Sequence, residues 1–274
     1  MRRSNVRLGT AASIAVLILG MASAGGSAFA GARSDSTLRP GGATARPATS
    51  APGVPRIPAD PVITFSDPLN GFHPMGITSD GSSYYTTNGG NSGACVVNTF
   101  DLTGTLTHSA ACSLDNRSII WDPANGGVFT KTYELTANRV DPVTGQSTLI
   151  SSGWFAYQQS SPALVGKQFL LEHEAGTIRL LRKVGGSLLG TRTGFRTGGY
   201  PTDEAVALDG SNEILTWDGT TVYVQDENAN LLATIDIPSG HYGFSLSYAN
   251  GLLFTADDVN ASGIATWYGY DIGR

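Results

Sequence analysis

Between Ala205 and Ile237 the chain reads AVALDGSNEILTWDGTTVYVQDENANLLATIDI. Four short runs, AVAL, EILTW, TTVYVQ and LLATIDI, are rich in β-branched and aromatic residues, with apolar and polar positions partly alternating. The breaks between them, DGSN, DG and DENAN, are made of the residues that turn a chain back on itself. Strand, turn, strand, repeated, predicts a four-stranded antiparallel meander. Such a meander cannot bury its own faces, so further copies are required. They are present: GITSDGSSYYTTNGG starts at Gly76, SIIWDPANGGVFTKTY at Ser118, a weaker PALVGKQFLLEHEAG at Pro162, and LSYANGLLFTADD at Leu246. Starts therefore fall about 41 to 44 residues apart, the period of β-propeller blades.

The turn between third and fourth strands also repeats, opening at Asp101, Asp141, Lys183 and Asp226. A fifth turn opens at Asp271 and the sequence then ends at Arg274, so the last copy has three strands and no fourth. The segment VITFS at 62–66 precedes the first copy and resembles the fourth strands STLIS (147–151) and ATIDI (233–237). It is expected to complete the last blade and close the ring, removing the open edge. The predicted fold is all-β: a five-bladed propeller of four-stranded antiparallel blades, joined by its N-terminal strand. An open array or a β-sandwich is the alternative for short, evenly spaced strands.

Trp217-Asp218 ends a second strand at an Asp-Gly turn, unlike the late-blade WD of WD40 repeats. The phrases HPMGITSDGSSYYTTNGG and WDPANGG resemble the blades of secreted bacterial propeller repeats of the NHL or YVTN type, over residues 62–274. That resemblance implies a fold and says little about chemistry.

Upstream of the repeats, residues 1–30 have the form of an export signal. Arg2, Arg3 and Arg7 are followed by an apolar run from Ala11 to Met21 and an Ala28-Phe29-Ala30 cleavage site. Residues 31–60, rich in Ala, Pro, Ser, Thr and Gly without apolar periodicity, read as a disordered linker. Residues 61–274 are the propeller domain. The product is expected to be secreted, bacterial and monomeric, without a membrane span in the mature chain. General secretion is favoured over the twin-arginine route.

Charge narrows the partners. The chain carries 17 Lys and Arg against 22 Asp and Glu, a net charge of -5. Losing the three arginines of the first thirty residues leaves 14 against 22, so the mature net charge is about -8. Nucleic acid and anionic membrane are poor partners for such a surface. A basic group at Arg179, Arg182, Lys183, Arg192 and Arg196 is read as a solvated face. Cys95 and Cys112 flank the Thr103-Gly104 turn symmetrically, which predicts a cross-strand disulfide in blade one.

In a propeller, the segments entering the innermost strands converge on one mouth of the channel. Aligned copies place Met75, Arg117, Ser161, Glu204 and Ser245 there, with His73, Asn116, Asp203 and His241 just upstream. Glu204 is the principal candidate. Facing Arg117 it would form an internal ion pair; alternatively it would orient a ligand, bind calcium or serve as a general acid/base. The ligand-binding set is Glu204, Arg117, His73, Asp203, Tyr200 and Asn116, and the candidate calcium ligands are Glu204, Asn116 and Asp203, with no other cofactor expected. Binding of an extracellular glycan, peptide or protein is favoured over catalysis. The alternatives are a metal-assisted lactonase or hydrolase, or a glycosidase, using Glu204, and then a structural cell-wall protein.

Weaker signals complete the inventory. His173 in LEHEAG lacks a second histidine at metal-binding spacing, and Asp257-Asp258 reads as turn chemistry. Phe72, Trp154, Phe155, Tyr157, Tyr200 and Tyr242 fall between blades, where packing and an aromatic binding rim compete as explanations. Asn116 and Asn260 match the N-glycosylation pattern.

Overall fold

A computed structural model describes residues 53–90 and 94–273. The expected export signal and the linker up to residue 52 lie outside the described residues. Five antiparallel blades of four strands follow one another around a ring, and the sheet of one blade carries a fifth, parallel strand at its edge. Blade I is β3 (His73–Ser79), β4 (Ser83–Gly89), β5 (Cys95–Asp101) and β6 (Leu106–Cys112). Blade II is β7 (Ile120–Asp122), β8 (Gly127–Lys131), β9 (Thr136–Val140) and β10 (Ser147–Ser152). Blade III is β11 (Ala163–Val165), β12 (Phe169–Glu174), β13 (Thr177–Arg182) and β14 (Leu188–Thr193). Blade IV is β15 (Ala207–Leu208), β16 (Ile214–Trp217), β17 (Thr221–Gln225) and β18 (Leu231–Asp236). Blade V takes β19 (Ser247–Ala249), β20 (Leu252–Ala256) and β21 (Ile264–Tyr270) from the end of the chain and β2 (Pro61–Pro68) from its beginning.

The ring therefore closes as the sequence predicts. β2 pairs antiparallel with β21 from Pro61 opposite Tyr270 to Pro68 opposite Ile264. One short element differs from expectation. β1 (Arg56–Pro58), within the stretch read as linker, pairs parallel with β18. It occupies the outer edge of blade IV, where an unpaired ladder would otherwise face solvent.

Packing explains the repeat. Five of the buried apolar clusters each straddle one blade boundary. Phe65, Tyr84, Phe100, Phe254 and Trp267 join blades V and I. Ile120, Phe129, Trp154, Phe155, Leu170 and Leu181 join II and III. Trp217, Leu253 and Tyr270 anchor the IV–V boundary. Each sheet thus gains a buried face only by lying against the next. The repeated Asp that opens the outer turns has a local reason as well. Asp101 Oδ1 accepts the Thr103 and Thr105 N–H groups, and Asp226 Oδ1 accepts those of Asn228 and Asn230, the side-chain-to-backbone pattern that favours Asp in turns.

Cys95 and Cys112 are directly opposed on β5 and β6 and form a disulfide, with Cα atoms 4.8 Å apart. A disulfide suits an oxidising, extracytoplasmic compartment. Its loop spans 17 residues, for which chain-entropy arguments give about 3 kcal/mol. Replacing both cysteines by serine should lower the denaturation midpoint accordingly. An unchanged midpoint in chemical denaturation would show that the bond adds nothing to the sheet pairing already present.

Candidate functional site

Within each blade the first strand leaves one end of the ring and the second strand returns to it. The starts of β3, β7, β11, β15 and β19 therefore share a mouth with the ends of β4, β8, β12, β16 and β20. Inside, the inner strands surround a cavity of about 240 Å³ lined by residues such as Met75, Ser118, Ser161, Val206 and Ser247. The mouth is tied together across blades. Ser161 N–H donates to the Glu204 carbonyl (2.9 Å), Ser161 Oγ to the Arg117 carbonyl (2.6 Å), and Ala175 N–H to the Asp203 carbonyl (2.9 Å).

Glu204 ends a single 3-10 turn, Thr202–Glu204, immediately before blade IV. It is only 8 % exposed, and its Oε2 is buried without a hydrogen-bond partner. Burial pushes its pKa up, to about 7, and the charges of Glu174 and Asp203 push in the same direction while Lys131 opposes them. Burial likewise raises Asp203, whose Oδ1 is also buried and unpartnered. Glu174, at the end of β12, is raised by burial and then by Glu172 and Asp203. The three carboxyls thus act on one another electrostatically, and among the described residues no cation is bonded to any of them.

The neighbouring charges are committed elsewhere. Glu172 is fully buried and accepts the N–H groups of Ala156 (3.0 Å) and Tyr157 (2.9 Å), the Ser160 hydroxyl (3.1 Å) and the Arg179 guanidinium. Lys131, fully buried at the end of β8, donates to the carbonyls of Tyr157 (2.5 Å), Gln158 (2.6 Å) and Ser160 (3.0 Å). Burial lowers its pKa to about 7. Lys131 and Glu172 together clamp the 156–160 connection beside the acids. Arg117 does not pair with Glu204 as expected. Its Nη2 donates to Asp115 (3.1 Å), two residues earlier, and its guanidinium lies over Tyr133, 5.0 Å from the ring centre. Asp115 also accepts the Gly90 N–H. An internal pair between Glu204 and Arg117 is therefore excluded; proximity along the chain gave Arg117 a nearer acid.

Of the sequence-derived set, Glu204, Asp203, Arg117 and Tyr200 do come together: burial first, then the charges of Arg117, Glu204 and Asp203, act on the Tyr200 hydroxyl. His73 joins them at the rim, with Nδ1 2.6 Å from Asp258 and its ring stacked on Tyr242. Asn116 does not face the mouth. It is fully buried, and its Nδ2 donates to Thr87 Oγ1 (2.8 Å) at the boundary of blades I and II. The calcium set Glu204, Asn116 and Asp203 is thus not assembled, and among the described residues no group of three or more His, Cys, Asp or Glu is arranged to hold a metal ion. Burial also removes Asn116 as a glycan acceptor, whereas Asn260 is exposed.

Other expectations change. His173 is buried between the Ala205 carbonyl at Nδ1 (2.9 Å) and the Gly176 N–H at Nε2 (3.1 Å), and burial lowers its pKa to about 4. It is a neutral structural histidine. Lys183 and Arg179, assigned to a solvated basic face, are held by Asp122 (2.6 Å) and Glu172. Trp154 and Phe155 are core residues, while Tyr200 and Tyr242 belong to the rim. Asp258, read as turn chemistry, instead carries His73.

No family model matches the chain, and no curated protein matches it. Solved structures do. The glutaminyl cyclase of Myxococcus xanthus aligns with a TM-score of 0.58 at 10% identity, covering 79% of this chain and 97% of that one. The virginiamycin B lyase of Staphylococcus aureus gives 0.40 at 15% identity, covering 75% and 73%. BamB of Moraxella catarrhalis gives 0.34 at 11% identity, covering 71% and 84%. At such identities the likeness is one of fold, that of a β-propeller.

Proposed function

We propose that this chain is a secreted binding protein whose channel mouth takes the free amino terminus of an extracellular peptide. The observation that carries this reading is Glu204: a buried carboxyl with an unpartnered oxygen, beside an equally unpartnered Asp203 oxygen and Glu174. Carboxylates only accept hydrogen bonds, and an ammonium supplies three donors and the missing positive charge. Arg179 and Lys131 are bonded to Glu172 and to three carbonyls, and Arg117 gives Nη2 to Asp115 while its Nε is buried without a partner, so none of the three is hydrogen-bonded to Glu204.

The test is calorimetric titration of the purified protein with trialanine and its N-acetyl derivative. Acetylation removes the charge and should weaken binding roughly 10- to 100-fold. Equal affinity for the two peptides would overturn the reading. The pH dependence has a fixed sign. An ammonium prefers the ionised form of Glu204, so affinity rises from pH 5 by up to tenfold per unit and levels off above Glu204's pKa of about 7. It falls again where the peptide amine, with a pKa of about 8, loses its proton. Glu174, Asp203, Lys131 and the Tyr200 hydroxyl are the titrating groups around Glu204, and the charge of Glu172 acts on it as well. A flat profile from pH 5 to 7 contradicts proton-coupled binding.

A second reading has a specific observation behind it. A carboxyl that titrates near 7 is suited to take and return a proton during a reaction, and the Myxococcus protein of similar fold is named as a glutaminyl cyclase. Release of ammonia from a peptide beginning with glutamine, absent with Glu204→Gln, would favour catalysis over binding alone.

A further inference from the structure

Beside the acids runs a continuous arc of rings contributed by three blades. His73 stacks on Tyr242 with centroids 4.6 Å apart and planes within 7°. Tyr242 meets Phe244 at 5.5 Å, and Phe244 meets Tyr200 edge-on at 5.7 Å. These spacings lie in the range where aromatic pairs attract one another. The arc is held from below. Asp258 fixes His73, the Tyr242 N–H donates to the Ala256 carbonyl (2.7 Å), and Trp217 Nε1 donates to the Gly243 carbonyl (3.1 Å). Gly243 lets the two connecting loops touch: a Cβ there would lie 2.3 Å from Pro201 Cγ and 3.1 Å from the Pro201 carbonyl carbon. Phe244 is buried, yet Tyr200 at the end of the arc remains 66 % exposed. It is the most exposed aromatic side chain among the large hydrophobics of the described residues, and it stands within electrostatic reach of Glu204 and Asp203.

Packing accounts for Phe244 and for the inner part of the arc. It does not account for a tyrosine ring held on one edge with its remaining surface in water. A tyrosine ring, with only two side-chain torsions to fix, contributes contact area with little entropy lost on binding. Resting on the amine reading above, we propose that Tyr200, with Phe244 and Tyr242 behind it, forms a second subsite that takes the aromatic side chain of the peptide's first residue. Charge complementarity fixes the occupant: an ammonium held by Glu204, with Asp203 and Glu174 adding negative charge around it, brings the first side chain toward Tyr200. The ligand class is thus a peptide with a free, aromatic amino-terminal residue.

Three probes separate the two readings: Phe-Ala-Ala, Ala-Ala-Ala and N-acetyl-Phe-Ala-Ala, titrated against wild type, Tyr200→Ala and Tyr200→Phe. Wild type should bind Phe-Ala-Ala roughly tenfold more tightly than Ala-Ala-Ala. Tyr200→Ala should erase that preference, so that the two free peptides bind with equal affinity, while Tyr200→Phe should preserve it. Tyr200 is exposed, so melting of the variants serves only as a control. Equal affinity of wild type for the two free peptides overturns the aromatic subsite but leaves the amine site standing, as does a preference that survives Tyr200→Ala. Binding of the acetylated peptide as tightly as the free one overturns the amine reading, and this proposal with it.

Discussion

Glu204→Gln is expected to abolish binding of free-amine peptides while making the protein more stable at pH 8. The two effects share one origin. The folded protein holds the Glu204 proton up to about pH 7, against 4.5 for an ordinary glutamate. Below 4.5 the folded and unfolded chains both carry it, and Glu204 leaves stability unaffected. Between 4.5 and 7 only the folded chain carries it, so stability falls as pH rises, by at most about 1.4 kcal/mol per unit. Above 7 both states are ionised, and the full penalty remains. Discounted for water at the mouth, it is about 1 to 2 kcal/mol. Glutamine has the shape of the protonated acid and no charge, so it removes the penalty. A domain of this size gains about 2 to 4 °C in melting temperature for each kcal/mol, and the gain should be present at pH 8 and absent at pH 4. Binding of trialanine should fall at least roughly 100-fold at pH 7.5. An identical shift at both pH values would mean that the carboxylate is not under electrostatic stress. Undiminished binding would remove Glu204 from the site. The combination expected here, function lost and stability gained, is the mark of a residue kept for what it binds.

The architecture was legible because it is written locally and repeatedly. The Asp, Asn and Gly turns recur with the blade, and each has its own hydrogen-bonding reason, as at Asp101 and Asp226. The cysteine pairing followed from symmetry about one turn, and the closing strand from its likeness to other outer strands. The site was half legible. Counting into each inner strand found Glu204, Asp203 and Arg117, because those positions share a register. It missed Glu174, Lys131 and Asp258, which reach the same mouth from the returning ends of second strands. The topology contained that signal: a meander brings the end of its second strand back beside the start of its first. Partner choice was not legible. Arg117 takes Asp115 over Glu204, and Lys183 reaches Asp122 across a blade boundary. Such pairings depend on side-chain geometry that strand register leaves undetermined. The three-residue β1 carries no periodicity to betray it, since its place is set by the edge of β18.

A chain that begins at Leu69 should fail to fold cooperatively, whereas one that begins at Asp60 should keep most of its stability. The first lacks β2, the outer strand of blade V and, among the described residues, the strand whose hydrogen bonds to β21 bring the two ends of the repeat array into one sheet. Three losses coincide. Phe65 leaves the contact with Phe100 and Phe254 at the V–I boundary, for which removal of a buried phenylalanine side chain costs about 3 to 5 kcal/mol. Asp67, fully buried, no longer accepts the Trp267 indole N–H (2.7 Å) or the Asn98 amide (2.6 Å), and each stranded donor costs about 1 to 3 kcal/mol. The β21 ladder becomes an open edge that can pair with other chains. Together these losses match the whole stability of an ordinary domain, about 5 to 15 kcal/mol. The chain that begins at Asp60 loses β1, three residues at an outer edge, and the exposed pair between Arg56 and Asp236, a type of pair that contributes little. Circular dichroism melts and sedimentation of the two truncations decide the matter. A sharp, monomeric transition for the Leu69 chain near that of the intact protein would show that blade V stands without its fourth strand, and that closure by β2 does not hold the ring together.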